Sequence, residues 1–139
     1  MTAVVDASVW VSRLVASDIN HTASHKWLEA HVAGGGLMVV PVIVLAEVGG
    51  AISRRSGQPR LGRQAIESLL RLRALRLVAV NRALGEAAAH LAADLALRGA
   101  DVTYVALAQQ LSLPLVTWDS EQLARAAKIV VAYTPPAMP

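Results

Sequence analysis

The 139-residue chain contains no cysteine. Disulfides and thiolate metal sites are therefore excluded, as fits a reducing cytoplasm. It has little lysine: nearly all of its positive charge is arginine. It lacks a signal-peptide pattern, because Met1 leads straight into "TAVVDAS" with no basic start and no long apolar run. The longest oily stretch, "LMVVPVIVLA" at 37–46, is interrupted by Pro41. It falls well short of the ~20 residues that cross a bilayer. No repeat, linker or low-complexity block is present. These absences predict one soluble cytoplasmic domain over 1–139, with the proline-rich end 134–139 as a frayed tail.

What is present is apolar bulk. Hydrophobic residues make up 55% of the chain, above the usual fraction. That is enough for a core, with apolar surface left for a homodimer contact or a peptide groove. The net charge is +3, and seven arginines fall between 54 and 76: Arg54, Arg55, Arg60, Arg63, Arg71, Arg73 and Arg76. Such a cluster reads equally as a phosphate-binding surface or as a solvated helical face.

The pattern alternates strand-like and helix-like segments. Strands are predicted at 3–5, 37–40, 75–80, 114–118 and 129–133. Helices are predicted at 8–16, 21–33, about 42–55, about 61–73, about 83–98, about 101–112 and 120–127. Asn20 serves as an N-cap, Pro41 sits at the first turn of the third helix, and Gly99 closes the long alanine-rich helix. Strands separated by helices predict an α/β domain with a mainly parallel sheet.

Four of the ten acids stand in unusually apolar surroundings. Asp6 and Asp119 each follow a strand, so chain direction puts both at the carboxyl edge of a parallel sheet, where ligands bind. Glu47 and Asp101 lie near helix N-termini that can face the same edge. Asp6, Asp101 and Asp119 also read as ordinary helix caps. Glu47 does not: it sits among Leu45, Ala46 and Val48, with no lysine or arginine within six residues. A buried unpaired carboxylate is costly, and a hard cation such as Mg2+ or Mn2+ would hold four such acids ionised.

Together, "VVDASVWV", "PVIVLAEV" and "GADVTYVALAQQLSLPLVTWD" resemble the PIN-domain nucleases, most closely the VapC-like toxins of toxin–antitoxin pairs. The likeness runs nearly the whole chain and matches all four acids in order. It implies a three-layer α/β/α fold and a metal-dependent endoribonuclease. Position by position, Asp6, Glu47, Asp101 and Asp119 match the acidic, metal-holding quartet, and Ser8 and Thr117 match the hydroxyl positions that orient it. The implied reaction is hydrolysis of an RNA phosphodiester by water whose pKa the cation lowers, with arginines on the flanking backbone. The implied partners are RNA and a cognate antitoxin. Many relatives carry a further acid or amide just after the last Asp; here Glu121 and Gln122 occupy that stretch.

Other readings are weaker. An inactive PIN-fold module that only holds an antitoxin or RNA conflicts with an intact quartet. A phosphoacceptor domain needs an early acidic pair, which "VVDAS" lacks. A haloacid-type phosphatase needs Asp-x-Asp, and Ser8 stands in the second place. His21 and His25 have a zinc-compatible spacing but no evident third ligand. Arg82, Glu86, His90, Asp94 and Arg98 repeat every four residues and read as an exposed helix face. Trp10 and Trp27 read as core or dimer contacts. Trp118 is expected to point away from Thr117 and Asp119, into the core, rather than onto a base.

Overall fold

In the computed structural model, which describes residues 1–136, five parallel strands form one sheet. They are β1 (Thr2–Val5), β2 (Leu37–Pro41), β3 (Leu75–Val78), β4 (Leu115–Val116) and β5 (Ala132–Tyr133), in spatial order β3-β2-β1-β4-β5. Seven helices connect them: α1 (Ala7–Leu14), α2 (His21–Ala33), α3 (Val44–Ser56), α4 (Pro59–Arg71), α5 (Arg82–Leu95), α6 (Gly99–Leu111) and α7 (Ser120–Ala126).

The strand order explains the layers. From β1 to β3 the chain steps outward in one direction, and right-handed crossovers keep α1 to α4 on one face. After β3 it returns past β1 to β4, so the same handedness puts α5 and α6 on the other face. The packing agrees: α1 touches α2 and α3, α3 touches α4, and α5 touches α6. This is the expected three-layer α/β/α fold.

The core follows from burial on both sheet faces. Ala3, Val4, Val5, Met38, Val40, Leu115 and Val116 are buried, so these strands read as continuous apolar runs rather than alternating ones. Helix α6 buries every residue from Val102 to Ala108, as expected of a helix apolar all round. Trp10 and Trp27 are core residues. The α3–α4 hairpin turns at Gly57, whose φ of 71° suits glycine. Its helices approach so closely that a Cβ on Gly62 would lie 2.6 Å from the Gly49 carbonyl oxygen.

Several boundaries differ from expectation. Pro41 ends β2 instead of opening α3; it lies beyond the part of β2 paired with β1, where a missing N–H is tolerated. The strands expected at 114–118 and 129–133 shrink to two residues each. Helix α5 stops at a left-handed Ala96, and Arg125 donates to the Leu95 and Ala96 carbonyls; Gly99 instead opens α6. Asn20 occupies the N-cap position of α2 without a side-chain capping bond. The expected frayed end, 134–139, lies partly outside the described residues, and within them Pro135 is buried.

Candidate active site

The sheet order reverses between β1 and β4, and a ligand crevice is expected outside the carboxyl ends of the strands at that point. The register Val5↔Val116 places Asp6 and Thr117 side by side just beyond the paired residues. The Asp6 N–H donates to the Val116 carbonyl at 2.9 Å, fixing this alignment. Asp6 then caps α1, accepting from Ser8 N at 3.0 Å. Asp119 caps α7, accepting from Gln122 N at 2.8 Å. Asp101 lies in the first turn of α6 without capping it, since Arg98 holds that position. Glu47 lies in the first turn of α3.

All four acids line one open cavity of about 660 Å³, with Ser8, Trp118, Asp18, Arg54 and Arg55 also on its wall. Acids from four separate segments thus meet at four helix N-termini, whose partial positive charge favours carboxylates. Among the described residues, no ion pair neutralises any of the four.

Burial pushes the Asp6 carboxyl above its usual range, aided by the Asp119 charge and opposed by hydrogen bonds from Ser8 and Thr117. Desolvation and the charges of Asp6 and Asp119 push Asp101 up to about 6. Burial likewise raises Glu47, and the Asp6 and Asp101 charges add to it. Glu47 is only half-buried and has a partner, contrary to the isolation its neighbours imply: the Tyr104 hydroxyl donates to Glu47 Oε1 at 2.7 Å. Burial and the charges of Glu47 and Asp6 raise the Tyr104 phenol, which keeps its proton and remains a donor.

Ser8 and Thr117 join the acids into one network. Thr117 Oγ1 lies 3.2 Å from Asp6 Oδ2 and accepts from the Asp119 N–H at 3.0 Å. Ser8 Oγ lies 3.4 Å from Thr117 Oγ1 and accepts from Trp118 N at 2.9 Å. The two hydroxyl residues therefore link the Asp6 and Asp119 ends of the site.

The side chains of Glu121 and Gln122, after Asp119, have partners of their own. Glu121 pairs with Arg125 at 2.8 Å on the surface. Gln122 is wholly buried: its Oε1 accepts from Thr117 Oγ1 at 2.7 Å and its Nε2 donates to the Asp101 carbonyl at 2.8 Å. Trp118 is half-buried against the core and also lines the acid cavity, because β4 ends before strand alternation reaches it. Its indole N–H donates to Ser24 Oγ at 2.7 Å.

The remaining candidates fall elsewhere. Of the seven arginines between 54 and 76, Arg54 and Arg55 line the cavity, and Arg55 pairs with Asp18 at 2.8 Å. His21 and His25 stack outside it, with ring centroids 6.0 Å apart. Arg82 pairs with Glu86 at 2.8 Å on exposed α5. Tyr104, Asp18 and Ser24 were not legible from sequence. Tyr104 hides in an apolar helix, and the other two sit in the α1–α2 segment with no motif to mark them.

The fold and cavity define an α/β protein with an acid-lined crevice at the switch point of a parallel sheet. The chain belongs to the PIN domain family, whose model matches residues 3–129. No curated protein sequence is significantly similar to it. Among solved structures it resembles VapC20 of Mycobacterium tuberculosis, a sarcin–ricin loop cleaving toxin, with 21% identity, TM-score 0.76, and 94% and 97% of the two chains covered. It also resembles FitAcB of Neisseria gonorrhoeae, with 18% identity, TM-score 0.72, and 99% and 100% covered. A third is VapBC2 of Rickettsia felis bound to a promoter DNA fragment, with 15% identity, TM-score 0.70, and 97% and 99% covered.

Proposed function

We propose that this chain is a metal-dependent endoribonuclease, the toxin of a toxin–antitoxin pair, acting on RNA in the cytoplasm. The observation that carries the reading is the gathering of Asp6, Glu47, Asp101 and Asp119 in one open cavity with two arginines on its wall. Membership of the PIN domain family supports it, as does the likeness to a loop-cleaving toxin and to toxin–antitoxin complexes.

The donor set fits Mg2+ or Mn2+: carboxylate oxygens suit hard divalent ions, and burial together with neighbouring carboxylate charges raises Asp6, Glu47 and Asp101. Among the described residues no three acids already form an ion-holding group, so ligation requires the side chains to close. When bound, the cation supplies water activation and charge stabilisation at phosphorus. Asp6, Glu47, Asp101 and Asp119 hold it. Ser8 and Thr117 orient Asp6, and Tyr104 fixes one oxygen of Glu47. Arg54 and Arg55 bind the phosphate backbone, which the acids alone would repel.

For the partner, a groove of about 540 Å³ lined by Trp10, Leu14, Leu28, Met38, Leu69 and Leu72 offers an apolar seat for an antitoxin peptide. Surplus apolar surface also favours a homodimer.

The test is cleavage of single-stranded RNA by purified chain with Mg2+, Mn2+ or EDTA. Asp6→Asn and Asp101→Asn, prepared in parallel, keep the fold and lose cleavage. Full activity in both folded variants would overturn the assignment.

A further inference from the structure

The structure assigns Gln122 a positioning role: it is the buried clamp that sets the spacing of three of the four acids. The inference deepens the reading proposed above and rests on it.

Gln122 has no solvent exposure. Its backbone N–H holds Asp119 Oδ1 at 2.8 Å. Its side-chain Nε2 holds the carbonyl of Asp101, at the start of α6, at 2.8 Å. Its Oε1 accepts from Thr117 Oγ1 at 2.7 Å, and that same hydroxyl lies 3.2 Å from Asp6 Oδ2. One residue of α7 thus reaches Asp119 directly, Asp101 through its main chain and Asp6 through Thr117.

A carboxamide meets both side-chain demands here without adding charge. An acceptor must face Thr117 and a donor must face the Asp101 carbonyl. Thr117 carries a single hydroxyl proton, which it shares between Gln122 Oε1 at 2.7 Å and Asp6 Oδ2 at 3.2 Å. A carboxylate at 122 would keep the acceptor, lose the donor and add a fifth negative charge to the group. Residue 122 is also the third position of α7, where a capping-box Gln would turn back to the N-cap N–H. Here that N–H is satisfied by Thr117 Oγ1 instead, which releases the carboxamide to cross to α6.

The experiment uses the full chain, with Gln122→Met and Gln122→Glu beside wild type. Mn2+ affinity is measured by calorimetry on metal-free protein, melting in EDTA checks folding, and RNA cleavage gives kcat and KM. Both variants are expected to melt as cooperatively as wild type, to lose about tenfold or more in Mn2+ affinity, and to lose kcat with KM for RNA unchanged. Combining Gln122→Met with Thr117→Val is expected to cost less than the sum of the two, since one acts through the other.

A folded variant of either kind with wild-type Mn2+ affinity and kcat overturns the inference, as does strict additivity with Thr117→Val. Wild type that neither binds Mn2+ nor cleaves RNA overturns the metal reading itself, and the clamp with it. Wild type that does both, beside variants that do both equally, overturns the clamp alone.

Discussion

Two groups of charged residues in this protein use the same chemistry to opposite ends. Along α5, Arg82 and Glu86 pair at 2.8 Å with both side chains largely in water. In the cavity at the sheet's switch point, four acids share one space, and among the described residues none of these four has an ion-pair partner. The first group is spaced by one helix and satisfied within it. The second comes from four distant segments, and its repulsion is left standing. Acids without ion-pair partners, three of them raised by burial, are the feature on which the proposed metal reading rests.

Substitutions that exchange charge for amide sharpen the contrast most. Asp6→Asn and Asp101→Asn are expected to abolish RNA cleavage, whereas Glu86→Gln on α5 leaves it unchanged. A cleavage assay on folded protein decides this, and loss of activity in Glu86→Gln would erase the distinction.

Metal addition comes next. Millimolar Mn2+ is expected to raise the melting temperature of wild type by several degrees, since a ligand at 100 times its Kd adds about 2.7 kcal/mol. Asp6→Asn should show little of that rise. An equal shift in the two would place the ion elsewhere.

Asp119 separates its two duties. Asp119→Ala removes both the α7 cap and the charge, and should cost about 1 kcal/mol in a denaturant titration. Asp119→Asn keeps a capping oxygen, so its stability should stay nearer wild type while cleavage is lost.

The pH dependence has a definite sign. Asp101 is held up to about 6 in the folded chain, against an ordinary 3.8. Between these values the folded state binds more protons than the unfolded one. Its contribution to stability is therefore full below the unfolded pKa and is lost as pH rises through about 6. In EDTA, melting temperature should fall between pH 5 and pH 7, and Asp101→Asn should flatten the curve. A rise over that range would contradict the repulsion.

The smallest effect belongs to the outer face of α5. Arg82→Ala is expected to change stability by less than about 0.5 kcal/mol, because exposed pairs contribute little. Thermal melts of the two chains side by side check it.

Much of the site was legible in the residues because strand ends and helix starts carry local signals. Asp6 and Asp119 follow apolar runs and cap the next helices, as the chain direction implied. Gln122 was legible only as a possible ligand, whereas its amide is taken up by the Thr117 hydroxyl and the Asp101 carbonyl. The long strand expected at 129–133 failed because only Ala132 and Tyr133 find partners on β4, and β4 is itself two residues long. Gly99 misled as a helix end, since Arg125, distant in sequence, satisfies the carbonyls that close α5.

By itself, then, the sequence determined the alternation of strands and helices, the order of the four acids and the apolar surroundings that made them conspicuous. These rest on neighbours within a few residues, where propensity and capping act. The tertiary structure alone decided that β1 and β4 lie side by side at the switch point, which joins Asp6 to Thr117. It also decided that Tyr104 reaches Glu47 and that Gln122 crosses from α7 to α6. Those contacts link residues up to 111 positions apart, and only packing of the sheet between two helical layers brings them together.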